Sequence, residues 1–519
     1  MKGTKNEKTK KKKKIEIDLR HLYLIFIPSI IVAITIVRGF DAVDFLAVLF
    51  VCLILMSIVL MDIFRYRPAY TKKNKMLILL MLLLIGTIVF GRGVEYLFLN
   101  FSKGMGFISH KAIIYGIPLE VGPMLICLLF DSHTAIIFSF IISMISGIWQ
   151  GDAFYGFYVF TGCIVAVFSV LRCKKRTDLI KGGMYISGVN IISAIVVSLH
   201  ERYLTQHILQ PIIFAATSGI SVAAFVSIIL PVLEYTFKVN TDITLLELLD
   251  LNQPLMKSLM INAPGTYHHS VIVGNLVETA AEDVGVNPLL ARVTAYYHDI
   301  GKIKMADYFI ENQSNAVNKH EKLTPHMSSL ILISHVKEGL ELADEYNLPE
   351  PVKDIITQHH GRSIMMFFYQ KAKEEQSEPP KEEDYRYPGP KPQSKVAALV
   401  MIADAIEAAS RVLKDPTPSR VVGLVDKIVN NILIDGQLSE CDLTLRDINI
   451  IKERYSYILN GIFHKRIEYP GFNFNKPHPS GGDGDKSNGK ESAPKDRDRH
   501  TAVKAHSEPG HEIFDVRKG

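Results

Sequence analysis

Cysteine is scarce in this chain, five in 519 residues. Cys52, Cys127 and Cys163 fall inside apolar runs, Cys173 ends one, and Cys441 stands alone in the polar half. None has the paired spacing of a thiolate metal site, which argues against zinc-thiolate centres and against a disulfide-stapled fold. A cleaved leader is not expected either, because the first apolar run is too long and lacks a small-residue cleavage site. Strand signals are few beyond residue 238. What the chain has in excess is apolar surface: 48% of residues are hydrophobic, and the mean hydropathy is +0.17. A purely soluble protein rarely carries so much.

The excess is concentrated before residue 238, in runs long enough for a hydrocarbon core of roughly 30 Å. About eight are legible: Leu22 to Val37, Phe45 to Phe64, Met76 to Phe90, Ala112 to Phe130, Thr134 to Trp149, Phe154 to Leu171, Gly182 to Leu199 and Leu209 to Phe237. Lys10 to Lys14 precede the first run. Arg65, Arg67, Lys72, Lys73 and Lys75 follow the second, and Arg172, Lys174, Lys175 and Arg176 follow the sixth. Cytoplasmic connections retain such charge, so the N-terminus and the polar half are both expected in the cytoplasm, with the chain in the cell membrane. The leading lysines read as a topology signal that meets anionic lipid, and no nucleic-acid polymer is expected as a partner. Glu120 lies between Pro118 and Pro123, which should break the helix. Its carboxylate either lines a ligand pocket or reaches water near the interface. Gly182, Gly183, Ser187, Gly188 and Asn190 read as helix-packing positions.

The fold class expected is all-α: a polytopic helical membrane domain followed by a cytoplasmic all-helical domain. The divisions fall at a basic tail (1–20), a transmembrane domain (21–238), an amphipathic coupling segment (239–260), a helical soluble domain (261–470) and a disordered tail (471–519). The coupling segment alternates Leu with Asp, Glu, Asn and Lys at helical period, with Thr241 or Asp242 as its cap. Glu374 to Gln393 breaks every period and reads as a loop. The tail is too poor in apolar residues to order itself, and its histidines are set aside.

The chemistry gathers in the soluble part. His298 and Asp299 stand beside Lys302; His268 and His269 lie upstream, and His335, His359, His360 and Asp404 downstream. Imidazole and carboxylate without thiolate suit iron or manganese, and zinc less specifically. A carboxylate such as Asp299 can bridge two cations. A pair of cations lowers the pKa of water and clamps phosphoryl oxygens. Lys302 is either a contact for a phosphate oxygen or a solvated helix-end lysine. His326 is a ligand, a substrate contact or a structural residue, and Arg411 reaches a phosphate or forms a salt bridge. His268 should point away from its neighbour His269, since adjacent helical residues diverge by about 100°.

The succession Ala263-Pro-Gly-Thr-Tyr-His-His-Ser270, Tyr297-His-Asp-Ile-Gly-Lys302, Phe309-Ile-Glu-Asn-Gln313, Ser334-His-Val336, Gln358-His-His-Gly361 and Ala403-Asp404 resembles the HD-domain phosphohydrolases. More narrowly, the chain is similar to the seven-transmembrane HD family of cyclic di-AMP phosphodiesterases, the PgpH type. That likeness runs from about Met76 to Pro470 and takes in Leu246-Glu-Leu248 and Arg386-Tyr-Pro-Gly-Pro-Lys-Pro392. It implies two divalent metal ions, manganese or iron. His269, His298, Asp299 and Asp404 would hold one, and His335, His359 and His360 the other, with Asp299 shared and catalytic. It further implies a cyclic dinucleotide substrate opened to linear pApA, with Lys302, His326 and Arg411 as candidate substrate contacts. HD domains on membrane spans often pair, so a homodimer is compatible with the sequence, though nothing in it forces one. Two alternatives stay open: another nucleotide substrate, cyclic di-GMP or a guanosine polyphosphate, or a nucleotide receptor that does not cut. Cyclic di-GMP enzymes usually carry Gly-Tyr-Pro after the double histidine, and Gly361-Arg-Ser-Ile-Met365 lacks it. Family members also usually carry a sizeable extracytoplasmic domain after the first span, where this sequence has only Arg38 to Asp44.

Overall fold

The computed structural model describes residues 22–463, apart from 38, 40, 68–69, 71–73, 106–108, 201–207, 314–317 and 376–377. The expected basic tail, Lys72, Lys73 and the expected disordered tail lie outside the described residues. Within them the chain is helical, with a lone antiparallel bridge between Ile364 and Arg386 and no strand.

Among the described residues, seven helices are long and apolar enough to cross a membrane: Ala42–Tyr66, Asn74–Gly104, Lys111–Leu129, Ser132–Gln150, Ala153–Val170, Arg176–His200 and Leu209–Phe237. The first expected span is different. It forms a 14-residue helix, Tyr23–Ile36, which at about 1.5 Å per residue falls short of a roughly 30 Å core. Val37 then turns to extended backbone, and Gly39 adopts φ +96°. Asp41 and Asp152, sparse charges between runs, are helix caps that accept from Val43 N and Phe154 N at 2.9 and 2.8 Å.

The fourth run is interrupted. A turn at His110–Ile113 tightens into Ile114–Gly116, Ile117 is extended, and the helix resumes at Val121. Pro118 lacks the N–H that would continue the ladder. The freed carbonyls of Ile114 and Tyr115 accept hydrogen bonds from the hydroxyls of Tyr155 and Tyr158, at 2.9 and 2.6 Å. Glu120 is 1% exposed, so it does not reach water at the interface. Helices Arg176–His200 and Leu209–Phe237 approach closely where Gly183 meets Gly219, and Ser187 donates to the Ala216 carbonyl at 2.6 Å. Gly188 faces open space instead.

Lys238, in left-handed backbone, ends the last span. The segment that follows is two short helices, not one amphipathic stretch: Asp242–Leu248, capped by Thr241, and Pro254–Asn262. Asp250 turns the chain by accepting from Asn252 N, and Pro254 starts the second helix at a position where its missing N–H costs nothing. Arg176 holds this segment to the membrane helices through a two-bond pair with Glu247, at 2.8 and 3.1 Å.

Two large apolar cores and a small third one at Phe368, Ala372 and Tyr385 support the rest of the described residues. The helix Lys395–Ser410 is buried along most of its length and packs with Pro264–Ala281, Pro418–Ile434 and Leu445–Ile462. Leu255, Leu259, Tyr297, Leu342 and Ile356 make the second. The helix Pro288–Tyr297 serves both, giving Ala291 and Ala295 to one and Val293 and Tyr297 to the other. Its last residue therefore delivers His298 and Asp299 at the seam. The expected loop around residue 380 is anchored by buried Tyr385 and by Arg386, paired with Asp435 at 3.2 Å.

Candidate metal centre

Five helix ends and faces meet at Asp299, which is 1% exposed. His298 and Asp299 follow directly on Pro288–Tyr297, after which the chain tightens into the 3-10 segment Ile300–Tyr308. Gly301 allows this segment to lie against the His335 helix: a Cβ there would come 1.8 Å from the His335 carbonyl oxygen. His269 lies in the second turn of Pro264–Ala281, His335 in the middle of Pro325–Glu345, and His359 and His360 at the end of Glu350–Gln358. Asp404 projects from Lys395–Ser410.

Two groups of ligand atoms result, each with all its atoms within 4.8 Å of one another. One is His269, His298, Asp299 and Asp404; the other is Asp299, His335, His359 and His360. Asp299 belongs to both and divides its oxygens. Its Oδ2 lies 3.2 Å from His298 Nε2 and 3.6 Å from His269 Nε2. Its Oδ1 lies 3.4 Å from His335 Nε2 and 3.6 Å from His359 Nε2. His269 Nε2 stands 3.0 Å from Asp404 Oδ1, and His360 Nδ1 3.5 Å from Asp404 Oδ2.

The far side of each ring fixes its tautomer. Nδ1 of His298 donates to the Ala295 carbonyl at 2.6 Å, Nδ1 of His335 to Leu332 at 2.5 Å, and Nδ1 of His359 to Ile356 at 3.0 Å. With the proton on Nδ1, each Nε2 presents its lone pair inward, the arrangement metal-ligating imidazoles need. His269 uses a carboxylate: its Nδ1 donates to Glu407 Oε2 at 2.5 Å. Arg411 grips the other Glu407 oxygen at 2.7 Å.

Despite burial, His298 and Lys302 hold Asp299 well below the usual carboxylate range, and His269 and His360 do the same for Asp404. Burial presses His335 down to about 3, against the pull of Asp299. His360 is lowered by burial and by His359 beside it. On His269, burial is outweighed by Asp404 and Glu407, which raise it to about 9. Ionised carboxylates and imidazoles form a donor set for a divalent cation, with His269 giving up its Nε2 proton where the cation takes that place. The fit rests on His269 Nε2, His298 Nε2 and Asp299 Oδ1, which are buried without a hydrogen-bond partner. Polar atoms so placed need a partner, and one cation between them satisfies several.

Lys302, in the first turn of Ile300–Tyr308, is not solvated. Its Nζ lies 2.7 Å from Asp299 Oδ2 and 2.9 Å from Glu311 Oε1, and these charges raise its pKa against the effect of burial. A cavity of about 610 Å³ opens onto the group, lined by Lys302, His335, His359, His360, Asp404 and Tyr387 among others. Tyr387 stacks on His360 with centroids 4.2 Å apart.

Two expected substrate contacts are not brought to this cavity. His326 is exposed, and the reason is helical phase: it precedes His335 by nine positions, which turns it about 180° away. Arg411 forms the salt bridge with Glu407 and does not line the cavity. His268 is exposed. Sequence reading missed Glu407 and Glu311. The signal for Glu407 was its place three residues after Asp404, on the same helix face.

The fold and the site together define a helical protein with seven helices fit to cross a membrane, followed by a helical domain that carries a carboxylate–imidazole site suited to divalent metal. Residues 42–241 match the model described as "7TM receptor with intracellular HD hydrolase", and residues 266–409 match the HD domain. The chain belongs to the family of seven-transmembrane proteins with an HD hydrolase domain.

It is 37% identical over 372 residues to the cyclic-di-AMP phosphodiesterase PgpH of Bacillus subtilis (strain 168), which covers 70% of this chain and 52% of that protein. With the protein of the same name from Listeria monocytogenes serotype 1/2a (strain 10403S) it shares 35% identity over 365 residues, covering 69% and 50%. The chain thus spans about half the length of the curated relatives it matches. The crystal structure of the L. monocytogenes PgpH HD domain in complex with cyclic-di-AMP is 46% identical, with TM-score 0.40, covering 42% of this chain and all of that one.

Proposed function

We propose that this protein is a membrane-anchored phosphodiesterase that opens cyclic di-AMP to linear pApA, lowering the level of a second messenger on the cytoplasmic side of the cell membrane. The observation that carries this reading is the position of Asp299, one buried carboxylate shared by two groups of metal-ligand atoms, of which His335, His359, His360 and Asp404 line a cavity of about 610 Å³. The relatives named as cyclic-di-AMP phosphodiesterases support the substrate. The basic connections after the second and sixth apolar runs support the orientation.

In this reading His269, His298, Asp299 and Asp404 hold one divalent ion and Asp299, His335, His359 and His360 a second, with manganese or iron suited to such a donor set. The bound ions supply Lewis acidity, making water nucleophilic near neutral pH and withdrawing charge from the phosphoryl oxygens. The protein supplies orientation. Backbone carbonyls lock His298, His335 and His359 with Nε2 facing in, and Glu407 does the same for His269. Lys302, kept cationic by Asp299 and Glu311, stands at the cavity wall, where a non-bridging phosphate oxygen can take its charge.

The test is incubation of the purified full-length protein with manganese and cyclic di-AMP, followed by identification of the nucleotide product. Linear pApA is the expected result. Binding with no new product would replace the enzyme by a receptor, and turnover of cyclic di-GMP alone would replace the substrate.

A further inference from the structure

The break in the fourth apolar run puts a carboxylate where a membrane protein can least tolerate one. Glu120 is 1% exposed, Asn190 and Ser218 are fully buried, and the three come from separate stretches of the membrane domain. Asn190 Nδ2 donates to Glu120 Oε1 at 2.7 Å and lies 3.4 Å from Ser218 Oγ. The other two oxygens, Glu120 Oε2 and Asn190 Oδ1, have no hydrogen-bond partner. Gly162 brings a fourth helix onto the cluster: a Cβ there would come 2.5 Å from Glu120 Oε1 and 2.6 Å from Asn190 Oδ1.

The chemistry of this cluster is one-sided. No lysine, arginine or histidine among the described residues forms an ion pair with Glu120. The backbone carbonyls freed by the break are already taken by Tyr155 and Tyr158. What is left is a single negative charge and unpaired acceptor oxygens in an apolar surround, where such groups are costly unless they face a partner. Oxygen donors select a hard cation. One carboxylate balances one positive charge, and a divalent ion would leave an excess charge in the bilayer. Discontinuous membrane helices are a recurrent place for such ions.

We propose that Glu120, Asn190 and Ser218 form a membrane-embedded site for one alkali-metal cation, sodium or potassium, separate from the soluble metal centre. Glu120 supplies the charge and the Ser218 hydroxyl a neutral oxygen, and the Asn190 amide, whose Nδ2 here donates to both, adds its carbonyl oxygen by turning over. Gly162 admits them by carrying no side chain.

The experiment is thermal unfolding of the full-length protein in nanodiscs at mildly alkaline pH. Sodium, potassium or N-methyl-D-glucamine chloride is varied at fixed ionic strength, and the membrane domain is followed by the fluorescence of the lone Trp149. A saturable rise in the midpoint with sodium or potassium is expected, and the ion that acts at lower concentration is the ligand. Glu120→Gln should abolish the response, because the neutral amide leaves no charge to balance. Ser218→Ala should raise the half-saturating concentration several-fold, which keeps the proposal open to failure if the Glu120 variant does not accumulate. A midpoint indifferent to both ions but raised by acid would mean that a proton neutralises Glu120, and the proposal falls. An equal response in wild type and either variant overturns it as well.

Discussion

His269 Nδ1 lies 2.5 Å from Glu407 Oε2, and both groups are buried. The contact sets which nitrogen of His269 faces Asp299 and Asp404. Arg411, on the opposite Glu407 oxygen, keeps the carboxylate from swinging away.

Replacing Glu407 by Ala should therefore weaken metal binding by about 10- to 100-fold, the usual cost of losing a ligand's outer partner. Competition with a chromophoric chelator would measure it. Glu407→Gln retains an acceptor oxygen and should lie between wild type and Ala. Unchanged affinity in both variants would remove Glu407 from the site.

Asp299→Ala should bring cyclic di-AMP turnover to background, since it removes a donor from both groups at once. Far-ultraviolet circular dichroism should stay unaltered, because the helices around it are held by apolar packing. Activity retained in a folded Asp299→Ala protein would move the chemistry elsewhere.

Removal of the metals has two expected readings. A strong chelator should abolish turnover, and manganese or ferrous iron should restore it. The melting transition of the soluble part should fall on chelation and recover with metal. A single ion at 100 times its Kd contributes about 2.7 kcal/mol to the folded state. Full activity after exhaustive chelation would contradict the proposed mechanism.

Arg176 and Glu247 tie the membrane helices to the segment that leads to the site, with the Tyr297 hydroxyl bonded to the Leu248 carbonyl at 2.6 Å on the far side. Arg176→Glu should loosen the segment and raise cleavage between residues 239 and 260 under limited proteolysis. The double exchange Arg176→Glu with Glu247→Arg should restore protection. The pair is partly exposed, so its contribution is about 0.5–1 kcal/mol. Equal cleavage in all three proteins would show that this contact does not order the segment.

Acid should act through Asp447. Lys395 at 2.9 Å and the backbone of Thr444 hold its carboxyl below the usual value near 4. A group with a lowered folded pKa stabilises above its unfolded pKa, and that contribution vanishes as pH falls through the folded value. Asp447→Asn should thus lower the melting temperature above pH ~5, and the difference from wild type should close toward pH ~2. The effect is about 0.5–1 kcal/mol after allowance for solvent screening. A difference that persists undiminished in acid would assign it to packing.

Much of this was legible in the linear chain. Long apolar runs marked the membrane helices, and Pro118 marked the break because it lacks an N–H, whereas Pro123, also expected to break the helix, sits in the first turn of Val121–Leu129 and breaks nothing. The residue types around His298 and Asp299 named the kinds of donor atom that the fold brings together. Helical phase even predicted that His268 would turn outward, as it does. The first run marks the limit of that method: it counted apolar residues, but the helix stops at Ile36 where the backbone turns extended.

What the sequence determined was therefore the kind of segment and the kind of donor atom, since both follow from side-chain chemistry and local period. Local pattern left open which donors meet; the resemblance implied it, and the tertiary structure brings them together. It divided Asp299 between two groups, brought Glu407 to His269 across 138 positions, and turned His326 and Arg411 away from the cavity. Those outcomes depend on which helix faces pack together, and packing is settled by long-range burial of apolar surface, which no local pattern records.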